Sequence, residues 1–150
     1  MISLLLLFNT QTKIRLQKWY ISYSEREKKK MIREIMTSIL AKRLPSCNFV
    51  EHNDKKVVYQ RYANLFFCIV IDRNDNELLA LEIIQRYVEI LDQYFKNVCE
   101  LDIIFNFEKA HFVWDELVVG GEVQESSRSE VVRAVLDQDD LQNFEIENFS

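Results

Sequence analysis

The chain has 150 residues, 48% hydrophobic and 12% aromatic, with two glycines and one proline. This composition suits one folded domain with a sizeable core and excludes a disordered chain or two domains on a long linker. Net charge is −5 but uneven: residues 1–43 carry ten Lys/Arg against three Asp/Glu, residues 44–121 seven against thirteen, and residues 122–150 two against eight. Overall acidity and the lack of any basic-plus-aromatic module argue against a nucleic-acid partner.

Ile2–Phe8 is a continuous apolar run followed by turn residues, Asn9 to Thr12. It lacks a basic flank and a small-residue cleavage site and is too short to span a bilayer, so it predicts a central strand and no membrane anchor. Lys13–Tyr20 alternates apolar and polar residues, as the second arm of a hairpin does. Ser24-Glu25-Arg26-Glu27 is a capping box. The helix it opens carries Met31/Ile32, Ile35/Met36 and Ile39/Leu40 on one stripe, with Pro45 marking its end. Asn48–Glu51, Lys56–Tyr62 and Leu65–Ile71 read as three further strands, the last two joined by a turn at Ala63-Asn64.

Asp75 or Asn76 caps a long helix to about Lys96. It carries two apolar stripes: Leu81, Ile84, Val88, Leu91 and Phe95, and beside them Ala80, Ile83, Tyr87, Ile90 and Tyr94. One stripe covers a sheet. The second needs a cover of its own, from the following helices or from another chain. Glu82–Arg86 and Asp92–Lys96 are spaced as i,i+4 ion pairs. Helix resumes over Phe105–Val119 and is stopped by Gly120-Gly121. Ser129 can cap a last helix with Val131, Val132, Val135 and Leu136. Residues 1–143 are read as one domain and 144–150 as an acidic polar tail. The order of elements predicts an α/β sandwich with a five-stranded, largely antiparallel sheet and helices on its faces.

Little in the sequence points to catalysis. Asp72-Arg73-Asn74-Asp75-Asn76 opens like a calcium loop, but Glu77 stands where glycine is needed and Ile83 where a bidentate acid is needed, so it reads as a strand-to-helix turn. His52 and His111 lack a partner at ligand spacing. No phosphate loop or nucleophile elbow is present. Cys47, Cys68 and Cys99 form no CxxC, and Cys68 and Cys99 sit in apolar runs as small hydrophobes, which suits a reducing compartment. The expectation is a non-enzyme without metal or cofactor.

Four blocks carry a likeness to a known family: Lys13-Ile14-Arg15-Leu16-Gln17-Lys18-Trp19-Tyr20, the stretch from Tyr59 to Cys68, Asp75-Asn76-Glu77-Leu78, and the junction Asn97 to Ala110. Together they resemble the small (sigma) subunits of clathrin adaptor complexes, most nearly the type-one adaptor of the trans-Golgi network and endosomes. The plasma-membrane (type-two) sigma chain is the alternative within the family. A longin-like regulatory module that binds a small GTPase or a fusion protein is the alternative outside it.

The resemblance implies a longin-like fold and a heterotetramer with two large chains and one medium chain. It implies a cytoplasmic, peripheral location on trans-Golgi network and endosome membranes and clathrin-coated vesicles, with clathrin and membrane met only through the complex. It further implies that the chain and a large subunit together bind acidic dileucine signals of transmembrane cargo. The matching pocket positions are Ala63, Leu65, Val88, Asn97, Val98 and Ile103, with Arg15 as the cation for the signal's acid. On that reading Val88 lines an open socket, and a carboxylate placed there is solvated until peptide arrives.

Overall fold

The computed structural model describes residues 1–42, 48–119 and 122–123. Pro45 and Cys47, the Gly120-Gly121 stop, the helix expected after Ser129 and the 144–150 tail lie outside the described residues.

Two apolar strands form the centre. β1 (Ile2–Asn9) and β5 (Leu65–Asp72) run antiparallel, with Leu5 opposite Ile69 and Leu7 opposite Phe67. Every residue of β1 and all but the last of β5 are buried. Because strand side chains alternate faces, a run buried throughout must be covered on both sides. Leu4, Leu6, Phe8, Phe66, Cys68 and Val70 meet one cover, and Leu5, Leu7, Leu65, Phe67, Ile69 and Ile71 meet the other. β2 (Ile14–Trp19) flanks β1, while β4 (Lys55–Tyr62) and β3 (Phe49–His52) follow β5, giving the order β2-β1-β5-β4-β3. All four pairings are antiparallel.

The first cover is α1 (Glu25–Ala41), which packs Ile32, Ile35, Met36 and Ile39 on the sheet. Its capping box forms as expected: the Ser24 hydroxyl accepts from the Glu27 N–H, and the Ser24 N–H donates to the Glu27 carboxylate. The second cover is α2 (Glu77–Phe95), capped by Asn76, whose side chain accepts from the Leu78 N–H. Of the spaced charge pairs, Glu82–Arg86 forms, at 3.6 Å. Asp92–Lys96 does not, because Asp92 turns to other donors and Lys96 becomes the left-handed C-cap.

The second stripe of α2 is covered from within the chain. α4 (Phe107–Leu117) lies on it and buries Ala110, Val113, Trp114 and Leu117. The Tyr87 hydroxyl donates to the Ala110 carbonyl at 2.8 Å in the seam. Trp114 stands edge-on to Tyr87 at 5.1 Å and donates through Nε1 to the Tyr20 hydroxyl at 2.7 Å. Burial pushes the Tyr87 phenol up, so it stays a donor at all ordinary pH.

The helical stretch after residue 97 departs from its expected bounds at both ends. It begins as the short α3 (Glu100–Phe105), breaks at Asn106 (φ −130°, ψ 40°), and resumes as α4. Val118-Val119 leaves the helix as strand β6, paired with β7 (Glu122–Val123). Val118 and Val119 are both β-branched, and their strand preference prevails here over continued helix. Cys99 also departs from expectation: it is exposed at the head of α3, whereas Cys68 is buried in the core.

The α2–α4 seam supplies a test. Trp114→Ala should cost about 3–5 kcal/mol, the range for emptying a large buried aromatic. Tyr87→Phe should cost only about 1 kcal/mol, one net hydrogen bond. Urea unfolding of both variants measures the difference.

Candidate functional site

Three connections meet at one end of the sheet: the β1–β2 turn, the β4–β5 turn, and the α2–α3 junction. Each is shaped by backbone that leaves the ordinary regions. Ala63 takes φ 54° in the two-residue β4–β5 turn, where a Cβ costs about 1–2 kcal/mol. Lys96 (φ 54°) and Asn97 (φ 75°) are both left-handed and turn the chain sharply off α2.

Asp92 fixes that bend. One of its oxygens accepts from the Tyr62 hydroxyl and from the Val98 N–H, both at 2.9 Å. Its backbone carbonyl accepts from the N–H groups of Lys96 and Asn97. The end of β4, the last turn of α2 and the start of the junction thus share one residue. Asp102 then accepts from the Cys99 N–H at 2.9 Å and starts α3.

Glu100 holds the three connections together. Its Oε1 accepts from Arg15 Nε at 2.6 Å and from Asn9 Nδ2 at 2.9 Å, and its Oε2 accepts from Asn64 Nδ2 at 2.6 Å. Asn9 is a buried polar residue, and its own Oδ1 accepts from the N–H groups of Gln11 and Lys13. The Thr10 N–H donates to the Asn64 carbonyl, so the two turns are also joined directly. Arg15 is the extra residue of a β-bulge, since Leu7 pairs with Leu16 and Phe8 with Ile14. Bulges re-aim side chains, and this one supplies the guanidinium that meets α3. Hydrogen bonding from Arg15 holds the Glu100 carboxyl below the usual carboxylate range.

Leu65, Val88, Val98 and Ile103 come together in one core cluster under the junction, with exposures of 1%, 8%, 4% and 0%. Ala63 and Asn97 are exposed at its rim. Arg15 is half-buried across the sheet end and already paired with Glu100. The four apolar positions are therefore filled core in the free chain, and Val88 does not face water as an open socket would. Glu100, Asn9, Asn64 and Asp92 escaped the sequence reading. Their partners lie 30 to 91 positions away in the chain for the side-chain contacts across elements, and no local pattern encodes them.

Beside the junction the surface is apolar. Leu101, Ile104, Phe105 and Phe107 are 59%, 36%, 77% and 52% exposed. This is the exposed face that the second stripe of α2 does not provide. A cleft of about 250 Å³ lies elsewhere, between α1 and the β3–β4 turn, lined by Tyr23, Met31, His52 and several charged residues; it contains none of the seven predicted positions. Asp72–Asn76 is a strand-to-helix turn, with Asp72 paired to Lys55 at 2.8 Å and its N–H donating to Asp75. Among the described residues no group of three or more His, Cys, Asp or Glu could hold a metal ion.

A five-stranded antiparallel sheet between α1 on one face and α2 with α4 on the other is a longin-like α/β sandwich. The sequence pattern of the clathrin adaptor complex small chain family matches residues 1–142. The chain belongs to that family. It is 55% identical to human AP-1 complex subunit sigma-1A over 142 residues, covering 95% of this chain and 90% of that one. It is 56% identical to human AP-1 complex subunit sigma-3 over 142 residues (95% and 92%), and 55% identical to Arabidopsis thaliana AP-1 complex subunit sigma-2 over 141 residues (94% and 87%). Among structures, it superposes on a chain of a homology model of the full-length AP-3 complex in a stretched open conformation, with TM-score 0.73, 28% identity and 99% of both chains covered.

The Glu100 contacts make stability pH-dependent. The carboxyl is held below its unfolded value of roughly 4.3, so its contribution is complete above that value and is lost as pH falls through the lower folded value. Glu100→Gln should lower stability at pH 7 and flatten the acid limb of the stability curve. Denaturant unfolding of both proteins between pH 3 and 7, roughly the span of carboxylate titration, measures it.

Proposed function

We propose that the chain is a non-catalytic small subunit of an AP-1-type clathrin adaptor complex, and that with a large subunit it binds acidic dileucine signals of transmembrane cargo. The convergence of Leu65, Val88, Val98 and Ile103 under the Asn97–Ile103 junction, with Arg15 at the same sheet end, carries this reading. A signal with two branched apolar side chains and an acid needs adjoining apolar sockets and one cation nearby. The sockets here are closed, so peptide entry requires the junction to move. The junction is suited to move: it is short, left-handed at two residues, and held by a few side-chain hydrogen bonds.

The AP-1 complex names of its relatives support membership of a multi-subunit adaptor complex; the assembly proposed has two large chains and one medium chain and works in vesicle traffic between trans-Golgi network and endosomes. The exposed face of Leu101, Phe105 and Phe107 supports a buried position in such an assembly, since large apolar patches are unusual on free monomers. Among the described residues no helix is long and apolar enough to cross a membrane.

Two measurements test the proposal. Arg15→Gln in the assembled tetramer should weaken an acidic dileucine peptide by about 1–3 kcal/mol, less as salt rises. Glutamine is chosen because a glutamate there would face Glu100. Unchanged affinity at low salt would remove Arg15 from the site. Phe105→Asp should leave the chain folded but cut its recovery with a large subunit, with roughly 1.5–3 kcal/mol of apolar burial lost. Normal recovery would place the subunit contact elsewhere.

A further inference from the structure

The carboxylate that meets Arg15 in the free chain belongs to the protein itself. Glu100 approaches the guanidinium through Nε at 2.6 Å, with 15% of its side chain exposed. Two amides, Asn9 and Asn64, complete its hydrogen bonds. These donors come from β1, β2 and the β4–β5 turn, so in the closed junction the carboxylate sits on the guanidinium, and moving it away breaks three charge-assisted contacts. A ligand carboxylate reaching the same guanidinium meets either an occupied partner or a like charge within one guanidinium width.

We propose that Glu100 is a specificity-determining residue: it neutralises Arg15 in the unliganded site and opposes any signal carboxylate that approaches the same guanidinium. The inference rests on the dileucine reading of the site. Its consequence is selective. An acidic signal must displace or tolerate Glu100, whereas a signal without the acid never engages the pair. Glu100 thus lowers the advantage of an acid over a neutral residue at that position.

The test uses the assembled tetramer and two peptides, one with acid–three residues–Leu–Leu and one with glutamine in place of the acid. Glu100→Gln keeps the length and one acceptor oxygen while removing the charge. Loosening the junction changes the affinity of both peptides in common, so the readout is the acidic-to-neutral affinity ratio, which should rise about three- to tenfold in this variant over wild type. An unchanged ratio would leave Glu100 as a structural latch alone and overturn the proposal. A fall in the ratio would do the same, making Glu100 a support that aims Arg15. If Glu100→Gln fails to assemble, Asn64→Ala removes one of the carboxylate's donors and should raise the acidic-to-neutral ratio by a smaller factor. No shift there overturns the proposal. Wild-type tetramer that binds neither peptide overturns the dileucine reading and this inference together. Binding that ignores the state of Glu100 overturns only the inference.

Discussion

The pairing of β1 with β5 is the constraint on which the rest of the molecule depends. Both strands are apolar on both faces, and their backbone groups pair with each other and with β2 and β4. Such a pair cannot stand with one face in water. It demands two helical covers. α1 supplies one with a single stripe. The other must span the Leu5, Leu7, Phe67 and Ile69 face, and α2 does so with one stripe while turning a second outward. α4 closes that second stripe through Tyr87 and Trp114. The chain needs a route from the end of α2 back to the start of α4. The Lys96–Asn106 junction and α3 are that route.

The site follows from this route. The junction passes over the strand ends where Leu65 begins β5 and Asn9 ends β1, so its apolar residues Val98 and Ile103 drop into the same cluster as Leu65 and Val88. Polar contacts, by contrast, gather on the outer side. Asp92 ties the bend to Tyr62, and Glu100 ties α3 to Asn9, Arg15 and Asn64. The result is a lid of apolar side chains held by a few side-chain bonds at its rim. Leu101 and Phe105, on the opposite side of α3, are left exposed.

Much of this was readable in the sequence because it is periodic or punctuated locally. Ile2–Phe8 and Leu65–Ile71 announce buried strands by continuous apolarity, Ser24–Glu27 announces a helix start, and the two stripes of α2 announce a second cover. The break at Asn106 was missed because the apolar pattern runs on through it, whereas in the fold α4 starts afresh there and packs on Tyr87. Val118-Val119 carried a strand signal that competed with a helix stop. For the site, the apolar positions were within reach of family resemblance and burial pattern. The state of Arg15 was not, because its partner Glu100 lies 85 positions away and its aim depends on a bulge set by strand register. For Val88 the spacing was the better guide: it stands on the α2 stripe that covers the sheet and is filled core in the free chain, where the resemblance implied an open wall.

The proposed function requires the Asn97–Ile103 junction to be a closed lid that moves to admit a dileucine signal. Hydrogen exchange on the assembled tetramer, with and without saturating acidic dileucine peptide, addresses it most directly. The amides of Val98 and Cys99 are held by Asp92 and Asp102. The account predicts that peptide changes their protection, together with that of the Ala63–Leu65 turn, while the amides of β1 and of α1 stay unchanged. Identical protection across the junction with and without bound peptide would contradict it and place the signal on another surface.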